Sequence, residues 1–266
     1  LLINGPEKRF ISGKNFQNRR QKPHSKETMM RTAKSTGRLI GVLLLLQLAT
    51  ALMLPFMLIH SLTTGSPGFL TAAAENSFQI RSAVLIFFVG GALTVSLGIT
   101  ALPVFRLYSN ATALWFLVIC AVSFTLDTVH SATVMSMLSL SQEYVNGGAA
   151  NPELSQALGA AVASARRWAH FTQLVAIGGW LFVFHSSLLR FGLIPRALAA
   201  LGVIGVALQF TGVTLMMFLG YRIIGEMALP LLPIQITVAV WLMVKGFEER
   251  HLPIRTEAHE AGLAGA

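Results

Sequence analysis

The chain has 266 residues, 54% of them hydrophobic and only 12% charged, with 20 lysines and arginines against 11 acidic residues and a formal net charge of +9. Soluble domains carry about a quarter charged residues, so the composition excludes an ordinary water-soluble fold. The positive charge gathers at the N-terminus beside the first apolar block, with no nucleic-acid motif near it. It therefore reads as a membrane anchor, and nucleic acid is excluded as a partner.

Residues 1–37 are polar and basic, with no apolar face, which predicts a disordered tail. Met29 or Met30 is a natural start, so residues 1–28 are read as upstream translation or a tag. Residues 38–247 hold six blocks long enough to cross a bilayer, which takes about 20 apolar residues each. The predicted fold is an all-α integral membrane bundle of six transmembrane helices. Helix 1 covers about 39–60, with Pro55 kinking its far end, and helix 2 covers about 83–105. Helix 3, at about 111–140, is the longest and must tilt or project beyond the hydrocarbon. Helices 4, 5 and 6 cover about 168–189, 197–219 and 227–245, with Pro230 and Pro233 interrupting the start of helix 6. Residues 106–110 and 190–196 are tight turns, and 61–80 and 141–167 are longer connections. Within the latter, 152–168 reads as a helix lying in the membrane interface. Residues 248–266 form a short, frayed cytoplasmic tail.

Placement of basic residues sets the expected orientation. With the N-terminus cytoplasmic, sixteen of the twenty lysines and arginines lie inside, leaving Arg81, Arg166, Arg167 and Arg222 outside. Both termini then face the cytoplasm, and the setting is the inner (plasma) membrane.

Ionisable groups inside a bilayer are costly, at about 2.5 kcal/mol or more at its centre, and each calls for an account. At about 1.5 Å of rise per residue, Asp127 and His130 lie roughly 24–29 Å along helix 3, toward the outer leaflet. His60, Arg81, His170 and Glu226 fall near the same level, which defines an outer polar cluster. Asp127 and His130 share a helix face, flanked by Ser123 and Ser131, and His170 and Gln173 repeat the three-residue spacing on helix 4. His185 is the exception, at the cytoplasmic end. Three chemistries suit the cluster: a small-molecule or proton pathway, a zinc or iron site on Asp127, His130 and His170, and mutual pairing that glues helices together. No cofactor is otherwise implied. Gly202, Gly205 and Gly212 line one face of helix 5, which suits close helix packing, either within the bundle or in a homo-oligomer. Cys120, the one cysteine, cannot form an internal disulfide. No zincin, nucleophile-elbow, Walker or C-x-x-C motif occurs.

The stretch HFTQLVAIGGWLFVFHSSLLRFGLIPRALAALGVIG (170–205) resembles the bacterial membrane family called domain of unknown function 4386 (DUF4386). The matching features are His170, Gly178, Gly179, the Ile194-Pro195-Arg196 turn, Leu201 and Gly202. Phe78 and Arg81 in ENSFQIRSAVLIFF (75–88) add to the likeness, which extends over 36–247. The resemblance implies a multi-pass helical fold and no particular activity. It also implies an acidic residue within helix 2, which this chain lacks.

The leading expectation is a non-enzymatic protein that binds, senses or passes a small molecule at a polar site near the outer face, through Asp127, His130 and His170 with Glu226 behind them. The alternatives are a metal-dependent hydrolase or oxidoreductase using Asp127, His130 and His170, and a structural membrane subunit. The lipid bilayer is the one partner every reading shares.

Overall fold

Residues 22–62, 68–147 and 151–248 are described in the computed structural model. Among them every element is helical: α1 (Lys22–Leu62), α2 (Phe69–Glu75), α3 (Ser77–Tyr108), α4 (Asn110–Asn146), α5 (Pro152–Phe191), α6 (Arg196–Leu219), α7 (Ile224–Ala228) and α8 (Leu231–Lys245). Six stretches are long and apolar enough to cross a membrane, with α7 and α8 together forming the sixth. The chain is a multi-pass membrane protein. Helices suit this setting because each satisfies its own backbone hydrogen bonds away from water.

The spans pack in chain order. α1 lies against α3, α3 against α4, α4 against α5, α5 against α6 and α6 against α8, and α8 returns to α1. The six spans thus close into a ring. An even number of spans puts the start of the first and the close of the last at one end, here called the terminal end. Local chemistry sets the turns. Ser109 caps α4 by accepting a hydrogen bond from the Thr112 N–H, and Asn151 caps α5 through the Leu154 N–H, with Pro152 in the first turn. Gly192 ends α5 at φ 63°, a conformation open to glycine at no steric cost. Pro195, extended at ψ 130°, then starts α6 at Arg196. The Glu248 N–H donates to the Leu193 carbonyl at 2.8 Å, tying the end of the sixth span to this turn.

Several expectations change. Residues 22–37, expected to be disordered, are helical and continuous with the first span; residues 1–21 and 249–266 lie outside the described residues. Ala33 is buried, and Gly37 sits so close to Gly246 and Phe247 that an added Cβ would lie 2.5 Å from the Phe247 nitrogen. That contact gives the basic segment a docked face which composition does not reveal. Residues 152–168 form no separate interfacial helix either. They are the first part of α5, which at 40 residues exceeds α4 at 37. At about 1.5 Å per residue, α5 is roughly 60 Å long, twice a hydrocarbon core of about 30 Å. Its distal part and that of α4 therefore stand beyond the hydrocarbon, with α2 packed on α4 between them and the rest of the bundle. Ser141 of α4 fastens α2 there, donating to the Leu70 carbonyl and accepting from the Ala74 N–H, both at 2.8 Å. The sixth span breaks at Leu229–Pro230, between α7 and α8, whereas Pro233 falls in the first turn of α8 and does not interrupt it.

Two apolar clusters fill the bundle. Toward the terminal end, Leu97, Phe105, Phe116, Trp180, Phe184 and Leu188 pack together, with Phe105–Phe116 and Phe116–Phe184 ring centroids 5.4 and 5.7 Å apart. Toward the distal end, Phe69, Leu70, Ile80, Val134, Met137 and Leu138 form the second.

The α1–α8 contact closes the ring, and it rests on the missing side chain of Gly41. A Cβ there would lie 2.6 Å from the Ala239 carbonyl oxygen and 2.7 Å from the Met243 nitrogen, both backbone atoms that cannot swing away. Gly41→Leu should destabilise the detergent-purified protein by about 1–3 kcal/mol or more, the usual cost of overpacking. Gly225→Ala on α7, where nothing lies within 4 Å, should be neutral. Thermal unfolding of the two variants checks the contrast, and equal melting temperatures would show that the α1–α8 seam is not tight.

Candidate functional site

Between the two apolar clusters lies a polar layer formed by α3, α4 and α5. On α4, Ser123, Asp127, His130 and Ser131 are all buried and fall on one face, at helical spacings of four, three and one. On α5, Arg166, His170 and Gln173 follow the same logic at spacings of four and three. The two stripes face each other because α4 and α5 pack side by side.

Gln173 joins the stripes. Its amide nitrogen donates to Asp127 Oδ1 at 2.8 Å, and its amide oxygen lies 3.3 Å from His170 Nδ1. A carboxylate only accepts, so the amide orientation is fixed, and the oxygen left over must receive the proton on His170 Nδ1. Asp127 thus sets the His170 tautomer through one intermediary. His170 in turn lies beside His130, with ring centroids 5.1 Å apart. Phe87 of α3 meets the His130 ring edge-on at 5.0 Å. Gly91, one turn further along α3, lets α4 approach: a Cβ there would collide with the Phe124 ring and come within 3.2 Å of Asp127 Oδ2.

The layer is not internally satisfied. His130 is 2% exposed, yet neither of its ring nitrogens has a hydrogen-bond partner. The hydroxyls of Ser123 and Ser131 and the Nε of Arg166 are likewise buried and unpartnered. Each such group costs about 1–3 kcal/mol relative to a satisfied one. Five of the ten such atoms among the described residues lie in this layer, and the other five, on Tyr108, Trp180, His185, Gln209 and Trp241, are spread through the bundle.

The layer therefore contains Asp127, His130, His170 and Gln173 of the expected cluster. Arg81 and Glu226 do not join it. Both are exposed, Arg81 near the start of α3 and Glu226 on α7, which packs against α6. Arg81 follows Ile80, which packs in the distal apolar cluster beyond the layer, and Glu226 sits on an element that packs against α6 instead of α4 or α5. The side chain of His60 lies outside the described residues. For metal, no group of three or more His, Cys, Asp or Glu among the described residues is arranged to hold an ion. Asp127, His130 and His170 are neighbours strung along a line, with Asp127 Oδ1 taken by Gln173, and they do not converge on a point.

The glycine face of α6 is occupied within the chain. A Cβ at Gly202 would overlap the His185 ring, one at Gly205 would meet Leu231 at 3.0 Å, and one at Gly212 would meet Met227 at 3.0 Å. These glycines pack α6 against α5, α7 and α8, so that face is not free for a second subunit.

Sequence reasoning misses Phe87 and Gly91, which carry no polar signal, and Arg166, which reads there only as a loop charge. The signal that could find Arg166 is its spacing of four from His170, hidden when helix 4 is begun at Trp168. A second buried polar contact also goes unread. His185, fully buried, accepts at Nε2 from the Gln235 amide of α8 at 3.0 Å.

The family comparison agrees with this architecture. The profile of the family described as domain of unknown function (DUF4386) matches residues 39–246, which is most of the chain and all six spans. The chain belongs to that family. No curated protein and no solved structure matches it.

If the Asp127–Gln173 bond clamps α4 to α5, the two residues are energetically coupled. Gln173→Leu should destabilise by about 1–3 kcal/mol, since it strands a buried carboxyl. The double change with Asp127→Leu should cost less than the sum of the two single changes by roughly 0.5–1.7 kcal/mol, the range seen for interhelical bonds in membranes. Unfolding of the four proteins in detergent measures this, and strict additivity would mean the bond carries no weight.

Proposed function

We propose that the protein binds a small molecule in the polar layer, in the manner of a sensor or carrier. The observation that supports this best is His130: a buried imidazole with both nitrogens unpartnered, beside a second imidazole whose tautomer is fixed through Gln173. The terminal half of the ring is filled by Phe105, Phe116, Trp180 and Phe184, which argues for a gated or binding role and against a permanently open channel. The aligned glutamine and histidines also suit proton movement coupled to binding, as in membrane relays.

We further propose that the layer faces the outer leaflet of the inner (plasma) membrane, with both termini cytoplasmic. The excess of lysine and arginine at the terminal end supports this: among the described residues nine lie toward that end, against four, Arg81, Arg166, Arg167 and Arg222, toward the other. Cys120 is 0% exposed and gives a silent background for labelling. In intact cells a membrane-impermeant maleimide should label Gln156→Cys, at the exposed distal part of α5, and not Asn110→Cys, at the exposed start of α4. The reverse pattern would invert the topology.

The binding reading is tested by thermal shift with a panel of small polar metabolites against wild type and His130→Ala. A true ligand at a hundred times its Kd stabilises wild type by about 2.7 kcal/mol, and the shift should disappear in His130→Ala. If every compound shifts both proteins alike, the layer is interhelical glue. Elemental analysis of the same preparations checks the metal-enzyme alternative, which gains ground only if stoichiometric zinc or iron is lost with His130.

A further inference from the structure

Arg166 and Arg167 are adjacent, yet their surroundings differ. Arg167 is exposed, free to extend toward water or headgroups as arginines near helix ends do. Arg166 is half-buried, and its Nε is sealed from solvent without a partner. It stands one turn before His170 and on the same face of α5, and the His170 ring lies 5.1 Å from that of His130. Its sequence neighbour Arg167 carries a charge of the same sign. The layer's carboxylate is not its counter-ion, because Asp127 Oδ1 is taken by Gln173 and Asp127 Oδ2 faces Gly91 on α3.

An arginine half-buried here, with its Nε sealed and no carboxylate paired to it, leaves a positive charge unneutralised beside the layer. On the layer side of Arg166, the His130 ring nitrogens and the Ser131 hydroxyl are buried and unpartnered, and each residue can donate as well as accept. Donors gathered beside a fixed positive charge match one chemistry, an oxyanion with several lone pairs, and arginine's planar fork suits carboxylate or phosphate best. Resting on the binding reading above, we infer that the molecule taken up in the polar layer carries a carboxylate or phosphate group, seated at the Arg166 end against His130 and Ser131. Asp127 lies at the other end, so the remainder of that molecule is neutral or hydrogen-bond donating, because a second negative group would meet the carboxyl. The same oxyanion chemistry is offered by a soluble acid and by an anionic lipid headgroup.

Wild type, Arg166→Gln, Arg166→Lys, Arg167→Gln and His130→Ala would be purified in neutral detergent, stripped of lipid and melted with four probes: inorganic phosphate, octanoate, choline and glucose. The same proteins would be melted in nanodiscs of phosphatidylglycerol and of phosphatidylcholine. The expected result is stabilisation of wild type by phosphate, octanoate or phosphatidylglycerol. Apparent affinity should fall at least tenfold in Arg166→Gln, fall less in Arg166→Lys, and be unchanged in Arg167→Gln. Stabilisation by phosphate or octanoate identifies a soluble acid, and stabilisation by phosphatidylglycerol alone identifies a headgroup. Should Arg166→Gln fail to fold, a weakening of at least threefold in Arg166→Lys, which keeps the charge and loses the fork, supports the inference in its place. An anion effect equal in wild type and the Arg166 variants, or no anion effect, overturns the inference. If choline or glucose then stabilises wild type and not His130→Ala, the binding site stands and only its preference for anions is wrong. If no probe depends on His130 or Arg166, the binding reading falls with it.

Discussion

The hydrogen bond from Gln173 to Asp127 is the interaction on which the middle of this bundle depends. A carboxyl buried between helices must find a donor, because lipid offers none and water is distant. Gln173 supplies it at 2.8 Å. In doing so it fixes the facing of α4 and α5, the amide orientation and the proton on His170 Nδ1. The two apolar clusters on either side could tolerate small rotations of these helices, since apolar contacts carry no direction. The amide–carboxyl bond cannot. It pins the rotation, and with it the His130–His170 contact and the direction in which Arg166 faces.

A ring of six helices with bulky residues at one level and polar ones at another has a built-in polarity along its axis. The aromatic cluster near the terminal end packs tightly, with Trp180, Phe105, Phe116 and Phe184 all 1% exposed or less. Beyond the polar layer, α2 covers the distal cluster, held by the two hydrogen bonds of Ser141. The layer is bounded above and below by apolar material, a low-dielectric setting in which charge–charge and hydrogen-bond energies are larger than at a surface. The same setting raises the cost of the unpartnered groups, so the layer is the part of the bundle that gains most from a polar visitor.

How much of this can be read from the residues differs by level. Six spans are legible because hydrophobic runs of twenty residues have no other stable use. Helix spacing on one chain is legible too: Asp127 with His130, and His170 with Gln173, are fixed by 3.6 residues per turn. The meeting of the two pairs is not, because it depends on the rotation of α4 and α5 about their axes, and the apolar faces of these helices are too wide to define it. Glu226 and Arg81 show the same limit in reverse: both are exposed and neither reaches the layer. The helix at 22–37 is hidden for a different reason. Its docking depends on Gly37 and Ala33 fitting against the backbone at Gly246 and Phe247, a contact between segments more than 200 residues apart.

His130 and His185 are one residue type in two settings, and the settings differ in how far each imidazole is satisfied. His185 is 0% exposed, accepts from Gln235, and has its Nδ1 edge pressed against Gly202, where not even a methyl group would fit. Nothing can enter there, so its unpartnered Nδ1 is the residual cost of packing α5 against α6 and α8. His130 has no hydrogen-bond partner on either nitrogen, and its ring contacts are with the side chains of Phe87 and His170. Of the two buried histidines, the one with free valences is also the one with a charge, that of Arg166, close at hand.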